Sequence, residues 1–577
     1  MVERVLTLKA GAGAMWGHDP SAAIFVDGAP AFAVEEERLR REKHAADRPP
    51  VEAVRACLDG TDLGVADLDR VAVTVDPSLT RKRGPAMVRH ALASDDPLYG
   101  RLYALAKRVA STLDVRLLQD NEVKRILREA GDGTEPPPIT HEPHHKCHAA
   151  SAFHPSGFDE AVVVTADGRG EYDATVVWHG TPDGLERLRT YAYPNSLGSF
   201  YAVITEFLGF RANNGEGKVM GLAPYGGPNE EIERGLRDLV ETGVDYDTTA
   251  LTTGPDGVGV SRLEAQFGRS RHDPSEPFDS WEKDLAYVAQ SMLEECLVAV
   301  VTHYSERLDI GNVALAGGVA LNCKANKRIR ESSTVDELFV QPVAHDAGLA
   351  LGAGYLSVSP EEARPWTGGE IYLGPEHDTA DIVDLLDSVK VEYEQPDDLA
   401  STVAELLANG SLVGWFQGRT EMGPRALGNR SILADPRTVD SRDEVNEWVK
   451  HREAWRPFAP SLLASAADEY LVGDTDAPYM IQTFDVEPER ADEIAAVLHE
   501  GDTTTRPQTV TPSSNPRYHR LISAFAERTG VPVLLNTSFN DHGEPIVNTP
   551  EEALVDFYRM GLDVLVLEDV LVRKPNG

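Results

Sequence analysis

Two strand–turn–strand patterns constrain the fold of this chain more than any other feature. In the first, apolar residues 22–26 and 31–34 flank the turn Asp27-Gly28, and residues 162–180 repeat the pattern around Asp167. An Asp-Gly pair between two β-prone runs is a strong signal of a β-hairpin. We therefore predict an α/β fold in which one strand–hairpin unit occurs twice.

A duplicated unit of this kind is typical of the two-lobed fold of actin, sugar kinases and heat-shock chaperones, in which ATP binds. Helical spacing over residues 51–60, 84–130 and 283–308 supplies helices for such a fold. Residues 358–370 are rich in Pro and Gly and indicate a domain boundary. We therefore predict an actin/sugar-kinase-like domain over residues 1–365 and a second α/β domain over residues 366–577.

Histidines four residues apart predict a metal site in the first domain. His144 and His148 lie in the segment HEPHHKCHAASAF, residues 141–153, and would share one face of a helix. Asp167 follows at a predicted strand end, where a carboxylate is well placed to join a pair of imidazoles as a ligand. The alternative from these residues alone is a His-rich surface turn.

Two glycine-rich turns predict an anion or nucleotide site in the same domain. A strand over residues 312–315 runs into AGGVALNCKAN, which contains Gly317, Gly318 and Asn322. Backbone N–H groups at such a turn, and at the start of the following helix, bind phosphate groups. Asp346 precedes a second turn of this type and another Gly- and Ala-rich helix.

The second domain contains an arginine-rich stretch that predicts an anion pocket. Residues 414–437, GWFQGRTEMGPRALGNRSILADPR, combine four arginines with four glycines. Guanidinium groups bind oxyanions bidentately, and glycine lets backbone N–H groups approach them. The alternative is an ordinary solvated turn. Further polar side chains follow in this domain: Lys450, Arg456, Arg506 in the polar loop 486–516, and Asn536 and Ser538 at a strand end.

The composition excludes several function classes. With 55 Lys and Arg against 94 Asp and Glu, the formal charge is −39, and the acidic residues are spread along the chain. Such a surface repels nucleic acid and fits a halophilic protein, in which salt screens the carboxylates. The scattered cysteines predict reduced thiols. The polar start and the lack of a long apolar run predict a cytoplasmic protein without a membrane span.

Long motifs along nearly the whole chain resemble one enzyme family, the O-carbamoyltransferases of nodulation-factor, cephalosporin and aminoglycoside biosynthesis. Similarity to their N-terminal half covers GHDPSAAIFVDG, EEERLRREKH, HHKCHAASAF, TADGRGE, GEGKVMGLAPYG, AGGVALN and HDAGLALGAG. Similarity to their C-terminal half covers the arginine-rich stretch, WRPFAPSLL and PVLLNTSFNDHGEPIVNTPEEAL. Agreement at so many ordered motifs is more specific than any single pattern above.

The resemblance implies a first domain similar to the ATP-binding fold of the protein that makes threonylcarbamoyl-adenosine in tRNA, followed by a YrdC-like domain. In this family, carbamoyl phosphate binds in the YrdC-like domain and reacts with ATP to give carbamoyl-adenylate. The carbamoyl group then passes, in the first domain and near a bound iron, to a substrate hydroxyl. The implied function is ATP-dependent O-carbamoyl transfer to a small molecule.

The resemblance also assigns roles to residues of this chain. The implied metal ligands suit Fe(II) without excluding Mn or Zn, with Mg²⁺ a further candidate; they are His144, His148, Asp167 and Asp346. The implied contacts of carbamoyl phosphate and ATP are Arg425, Lys450, Arg456, Arg506, Asn536 and Ser538. His18 and Lys43 fall at the acceptor pocket, where a neutral His18 would act as the general base.

Two segments depart from the family pattern. The GAGAMW insert, residues 11–16, predicts an acceptor pocket of different shape. Residues 499–503, HEGDT, also differ from the family pattern. Because they precede Arg506, the role of that arginine is left open. Two other functions stay as alternatives: a tRNA threonylcarbamoyl-type modifying enzyme, which the acidic surface argues against, and a non-catalytic ATP-binding regulator.

Overall fold

The computed structural model describes residues 3–9, 17–79, 115–131, 133–254, 257–357, 364–453 and 455–574. The GAGAMW insert, residues 84–114 of the predicted helical region and residues 358–363 of the predicted boundary lie outside this set. The chain divides into two compact units. Unit 1 comprises Met1–Ala31 and Ala46–Pro365, and unit 2 comprises Phe32–Ala45 and Trp366–Gly577.

Unit 1 is built on two five-stranded sheets. Their strands are β1 (Arg4–Lys9), β2 (Ser21–Val26), β3 (Ala29–Glu35), β4 (Arg70–Val73), β5 (Ile139–His141), β6 (Ala161–Ala166), β7 (Asp173–Thr181), β8 (Gly184–Ala192), β9 (Asn312–Ala316) and β10 (Glu337–Val340). The first sheet has the order β3-β2-β1-β4-β5 and the second the order β8-β7-β6-β9-β10. The last residues of β3 are counted with unit 2.

The second sheet repeats the topology of the first. β1 is antiparallel to β2 and parallel to β4, and β6 is likewise antiparallel to β7 and parallel to β9. The unit is therefore duplicated, but the two predicted hairpins are not equivalent. The Asp167 connection joins β6 to β7 and corresponds to the connection after Lys9, whereas the Asp27 turn joins β2 to β3. An Asp-Gly pair specifies a turn and carries no information on the position of that turn in a sheet.

Helices pack against these sheets within unit 1. They are Val51–Asp59, Val115–Ala130, His144–Ser156, Leu197–Phe207, Glu216–Leu222, Glu230–Arg237, Thr249–Thr252, Val258–Phe267, Ser280–Leu308, Cys323–Arg330 and Leu349–Tyr355. Of the described helices, only Ser280–Leu308 is long and apolar enough to cross a membrane, and 61% of its apolar window is buried inside the protein. The sequence analysis predicted a helix over residues 283–308 but no membrane span, because Glu294 and Glu295 interrupt the apolar run.

Unit 2 is built on a mixed seven-stranded sheet of order β16-β13-β17-β12-β11-β18-β19. Its strands are β11 (Val413–Phe416), β12 (Arg430–Ala434), β13 (Ala459–Leu463), β16 (Gln508–Val510), β17 (Val533–Ser538), β18 (Val564–Leu567) and β19 (Val570–Arg573), and a separate pair is β14 (Phe484–Asp485) with β15 (Thr504–Thr505). The helices are Glu36–Arg40, Thr379–Val389, Leu399–Ala408, Val439–Glu444, Ala467–Tyr470, Pro516–Thr529, Pro550–Arg559 and the π-helix Val445–Lys450. One apolar core, which includes Trp415, Phe416 and Leu534, joins them.

The inclusion of residues 32–45 in unit 2 differs from the predicted division at residue 365. Ala33 N–H donates to the carbonyl oxygen of Leu373 at 3.0 Å. Arg41 donates to the carbonyl oxygen of Pro545 at 2.7 Å and to the carboxylate of Glu544 at 2.6 Å. A Pro- and Gly-rich linker shows only where the composition changes. It therefore gives no sign of a short segment, residues 32–45, that precedes the linker in sequence but belongs to unit 2.

The polar segment 486–516 is more regular than the long loop predicted for it. It contains the 3₁₀ turn Ala491–Val497 and the strands β15 and β16. Ile494, Val497 and Val510 are fully or almost fully buried in the unit 2 core. These few apolar side chains, spaced among polar ones, anchor the segment.

Candidate functional site

Two histidines and two aspartates of unit 1 form a compact cluster. His144 and His148 lie one turn apart on the helix His144–Ser156, Asp167 follows β6, and Asp346 follows β10. One ligand atom from each residue lies within 4.8 Å of the others. Asp167 Oδ2 is 3.1 Å from Nε2 of both histidines. Asp346 Oδ1 is 3.6 Å and 3.8 Å from the same two atoms.

Glu171 fixes the start of the helix that carries the two histidines. Its buried carboxylate accepts the backbone N–H of His144 at 3.1 Å and that of Asp76 at 2.8 Å. The first N–H groups of a helix have no partner within the helix, and its dipole favours a negative charge there. Glu171 therefore sets both the position and the direction of this first turn.

His145, between the two cluster histidines on the chain, is turned to other partners. Its Nδ1 is 2.9 Å from Thr165 Oγ1, and its Nε2 is 3.1 Å from the carbonyl oxygen of Asp173. Burial, together with the neighbouring imidazoles, holds the pKa of His145 well below its ordinary value. His145 is thus a neutral packing residue that ties the helix to the sheet.

The donor set of the cluster fits a divalent cation. Two imidazole nitrogens and two carboxylate oxygens are typical ligands of Fe, Mn and Zn. Burial alone would lower the pKa of His148, but the hydrogen bonds and charges of Asp167 and Asp346 raise it to about 9. The two carboxylates therefore favour a positive charge at this point.

Lys9, the last residue of β1, contacts the cluster from one side. Its Nζ lies 2.9 Å from Asp346 Oδ2 and 2.5 Å from the carbonyl oxygen of His18. The residue is only 5% exposed. The two carboxylate oxygens of Asp346 thus face different partners, Oδ1 the histidines and Oδ2 the lysine.

The ring of His18 is engaged by the next residue. Its Nδ1 lies 2.7 Å from Asp19 Oδ2. Burial lowers the pKa of His18, but the Asp19 hydrogen bond and the charge of Asp346 raise it to about 9. Solvent weakens this shift, because 43% of the side chain is exposed. A raised pKa favours a protonated ring at neutral pH, which does not match the neutral base expected of His18; that role stays a prediction.

The predicted glycine turn lies beside Asp167. Gly317 has φ of 91°, and a Cβ there would lie 2.2 Å from the carbonyl oxygen of Ala166, so only glycine fits. A Cβ on Gly318 would lie 3.2 Å from Asp167 Oδ1. Asn322 caps the next helix and hydrogen-bonds Gln290. A nucleotide contact by any of these three residues stays a prediction.

In unit 2, arginines of residues 414–437 bind protein groups. Arg419 donates to the carbonyl oxygens of Leu373 and Gly374, and Arg437 pairs with Asp435 at 2.6 Å. Arg430 donates to backbone carbonyl oxygens, and burial lowers its pKa to about 10. Arg419, Arg430 and Arg437 therefore stabilise this stretch as a folded turn, and a role of Arg425 in anion binding stays a prediction.

The half-buried Arg425 lies in a loop that is fixed on both sides. The N–H of Gly423 donates to Glu35 Oε1, and Arg38 Nη2 donates to the carbonyl oxygen of Gly423, both at 2.6 Å. Asn536 Nδ2 donates to the carbonyl oxygen of the residue after Arg425 at 3.2 Å. Asn536 thus connects this loop to β17.

A cluster of cations lies at the carboxyl end of the same strand, two residues beyond Asn536. Lys450 is buried, and its Nζ donates to the carbonyl oxygens of Ser538 and Asn540 at 2.6 Å and 2.9 Å. Burial and the charges of Arg452 and Arg456 hold the pKa of Lys450 well below its ordinary value. Burial and the charge of Arg506 lower the pKa of Arg456, although the carboxylate of Glu453 opposes this shift. Four cations that repel one another favour an oxyanion among them.

The structure thus places the implied carbamoyl-phosphate residues in two groups along β17: Arg425 with Asn536, and Lys450 with Arg456, Arg506 and Ser538. Lys43, assigned to the acceptor pocket, is part of unit 2 and lies 3.8 Å from Glu37. His18 is part of unit 1.

Sequence reasoning left four residues out of the predicted site: Lys9, Glu171, Arg452 and Asn540. Lys9 could have been found from its position, because a lysine at the end of an apolar strand is unusual. Glu171 and Asn540 lie within motifs quoted above, and Arg452 lies in the basic run of Lys450.

Comparison with known proteins gives the family. The family descriptions "Carbamoyltransferase N-terminus" and "Carbamoyltransferase C-terminus" match residues 10–355 and 404–574. The chain is 37% identical over 566 residues to Nodulation protein NolNO of Sinorhizobium fredii, covering 96% of this chain and 79% of that protein. It is 30% identical over 368 residues to 3'-hydroxymethylcephem-O-carbamoyltransferase of Amycolatopsis lactamdurans, covering 63% of this chain and 66% of that protein.

Among solved structures, T. kodakarensis HypF aligns with a TM-score of 0.32 and 14% identity, over 63% of this chain and 49% of that chain. The family assignment comes from sequence: both family descriptions match in order, and the similarity to NolNO extends over nearly the whole chain. This protein is an enzyme of the carbamoyltransferase family.

Proposed function

We propose that this protein is an ATP-dependent O-carbamoyltransferase that moves the carbamoyl group of carbamoyl phosphate, through carbamoyl-adenylate, to a hydroxyl of a small molecule. The main support is the cation cluster of unit 2. Lys450, Arg452 and Arg456 have lowered pKa values in a chain of charge −39. Such a set is stabilised by an oxyanion, and the donor and co-substrate implied for this family both carry phosphate.

In this proposal, unit 2 forms the adenylate. Water releases phosphate from carbamoyl phosphate, and the resulting carbamate oxygen attacks the α-phosphate of ATP with pyrophosphate as the leaving group. Arg456 and Arg506 bind phosphate oxygens and offset their charge, while Lys450 is held in place by Ser538 and Asn540. The Arg425 loop, fixed by Glu35 and Arg38, orients the carbamoyl donor. Positioning and charge neutralisation are the main contributions that a protein makes to such phosphate chemistry. The proposal includes a YrdC-like fold for unit 2, based on sequence resemblance.

Unit 1 would carry out the transfer to the hydroxyl. His144, His148, Asp167 and Asp346 would hold Fe(II) or another divalent cation, which when bound polarises a carbonyl or phosphate oxygen. Gly317 and Gly318 place backbone next to that site. The repeated sheet topology supports an actin/sugar-kinase-like fold for this unit. A cytoplasmic, salt-adapted enzyme is part of the same proposal.

The first step can be tested without knowing the acceptor. Labelled pyrophosphate should be incorporated into ATP only when carbamoyl phosphate is present, because the exchange requires reversible formation of carbamoyl-adenylate. Arg456→Ala should lower the exchange rate about 100-fold, as expected for loss of a charge-assisted contact to phosphate. Arg437→Ala, which changes an arginine paired with Asp435, is the matched control and should keep it. Exchange that does not depend on carbamoyl phosphate would show that the mechanism is wrong.

A further inference from the structure

Lys9 is not one of the four residues of the cation cluster, but its ion pair with Asp346 engages one of the two carboxylate oxygens of that residue. Asp346 Oδ2 is 2.9 Å from Lys9 Nζ, whereas Oδ1 points to the two histidines at 3.6 Å and 3.8 Å. Both residues are largely buried, with side chains 7% and 13% exposed. The second oxygen is therefore occupied by an ammonium group with little access to water.

Lys9 is also restrained against leaving that position. Its Nζ donates to the carbonyl oxygen of His18 at 2.5 Å. Its backbone belongs to β1, which is paired on one side with β2 and on the other with β4. A lysine buried at a strand end is expensive unless its charge is paired, so this contact is a stable part of the fold.

We propose that Lys9 is a positioning residue that keeps Asp346 a one-oxygen ligand and thereby makes the site select small divalent cations over Ca²⁺. Ca²⁺ takes six to eight oxygen ligands and commonly uses both oxygens of a carboxylate, whereas Mn²⁺ and Fe²⁺ accept fewer ligands with nitrogen among them. The inference rests on the metal site of the proposed function and is independent of its carbamoyl chemistry.

Two accounts of Lys9 predict different results. If Lys9 acts by holding Oδ2, its removal should favour Ca²⁺ selectively, because the second oxygen becomes available. If it acts only as a nearby positive charge, its removal should strengthen binding of all divalent cations alike. The ratio of two dissociation constants therefore separates the accounts.

The experiment measures Kd of the full-length protein for Mn²⁺ by electron paramagnetic resonance and for Ca²⁺ by competition with bound Mn²⁺. For Lys9→Met, the ratio of the Ca²⁺ Kd to the Mn²⁺ Kd should fall about tenfold or more. Lys146→Met removes a positive charge from the histidine helix without removing a contact to Asp346, and should leave the ratio unchanged. An equal change in both constants for Lys9→Met overturns the proposal.

A second variant guards against a folding defect of Lys9→Met. Lys9→Gln keeps a hydrogen-bond donor for Oδ2 without the charge, so it should keep a ratio near that of the wild type. If Lys9→Gln lowers the ratio as much as Lys9→Met does, a hydrogen-bond donor at Oδ2 is not what determines the selectivity, and the proposal is overturned. If the wild type binds neither ion, the metal site fails, and the inference fails with it; intact pyrophosphate exchange would then show that the rest of the proposed function stands.

Discussion

The two polar clusters of this enzyme are opposite in their charge balance. In unit 1, burial opposes both charges, but Asp167 and Asp346 raise the pKa of His148, and Lys9 with the two histidines lowers the pKa of Asp346. In unit 2, Lys450 and Arg452 have lowered pKa values, since burial and neighbouring cations disfavour their charges. The first cluster is stabilised by attraction between its own charges, whereas in the second the nearby carboxylates offset burial and repulsion only in part.

This difference means that ligands should act on the two units in different ways. A ligand that binds only the folded state stabilises it by mass action, by about 2.7 kcal/mol at a concentration of 100 times Kd. In unit 1 a cation replaces interactions that already exist. In unit 2 an anion relieves repulsion as well, so phosphate should stabilise unit 2 beyond the contacts that it makes.

The largest expected effect is on the cation site. His148→Ala removes a ligand from a buried cluster and should weaken Mn²⁺ binding at least about 100-fold, since even the loss of a supporting hydrogen bond to a metal ligand costs about 10–100-fold. Electron paramagnetic resonance of bound Mn²⁺ measures it. His154→Ala changes a histidine of the same helix that stacks on Tyr355, and should keep metal binding. Equal losses in the two variants would assign the effect to the helix and not to the ligand.

The next effect concerns the pH dependence of stability in unit 2. The native pKa of Lys450 is below its unfolded value, so the unfolded chain binds more protons between the two pKa values. Stability should therefore rise with pH across that interval and fall as pH drops through the native pKa. The size of the rise measures how far burial and the neighbouring cations lower the pKa of Lys450.

Urea unfolding at pH 7 and pH 9.5, with and without inorganic phosphate, measures this contribution. Lys450→Met should lose the rise, and phosphate should reduce it in the wild type because the anion stabilises the charged lysine. Lys124→Met, a lysine on the helix Val115–Ala130 of unit 1, is the control and should retain it. A rise that persists in Lys450→Met would contradict the repulsion described for unit 2.

The smallest effect is expected at the glycine turn beside the cation site. A Cβ added at Gly318 would lie 3.2 Å from Asp167 Oδ1, so this carboxylate must shift by a few tenths of an ångström. Gly318→Ala should weaken Mn²⁺ binding about threefold, because ligand sets depend on positions held to about 0.5 Å. Gly217→Ala, where an added Cβ meets nothing within 4 Å, should have no effect on the same titration.

Local patterns in the sequence indicated three residues of the cation cluster, whereas Asp346 was assigned by the family resemblance. The spacing of His144 and His148 depends on helix geometry alone, and Asp167 on the end of a strand. The contact of Lys9 with Asp346 joins distant parts of the chain, and no periodic pattern reports such a pair. The Asp-Gly signals predicted a duplicated unit, but the offset between the two halves depends on strand pairing.

The contacts of the arginine-rich stretch could not be predicted from sequence, and the reason is chemical. A guanidinium group uses the same N–H donors for a phosphate oxygen as for a backbone carbonyl oxygen. The sequence therefore does not distinguish Arg430, which binds carbonyl oxygens inside unit 2, from Arg425. The carbonyl oxygens that an arginine meets depend on the fold and not on its neighbours in the sequence.

The exchange of residues 32–45 between units also bears on how such an enzyme can change in evolution. Glu35 and Arg38 fix the peptide at Gly423, so a gene fragment that begins at Trp366 would encode the anion site without its support. Recombination at the linker would combine the Arg425 loop of one protein with Glu35 and Arg38 of another. The two halves of this gene should therefore be inherited together, and new acceptor specificities should arise by substitution within the chain and not by swapping its halves.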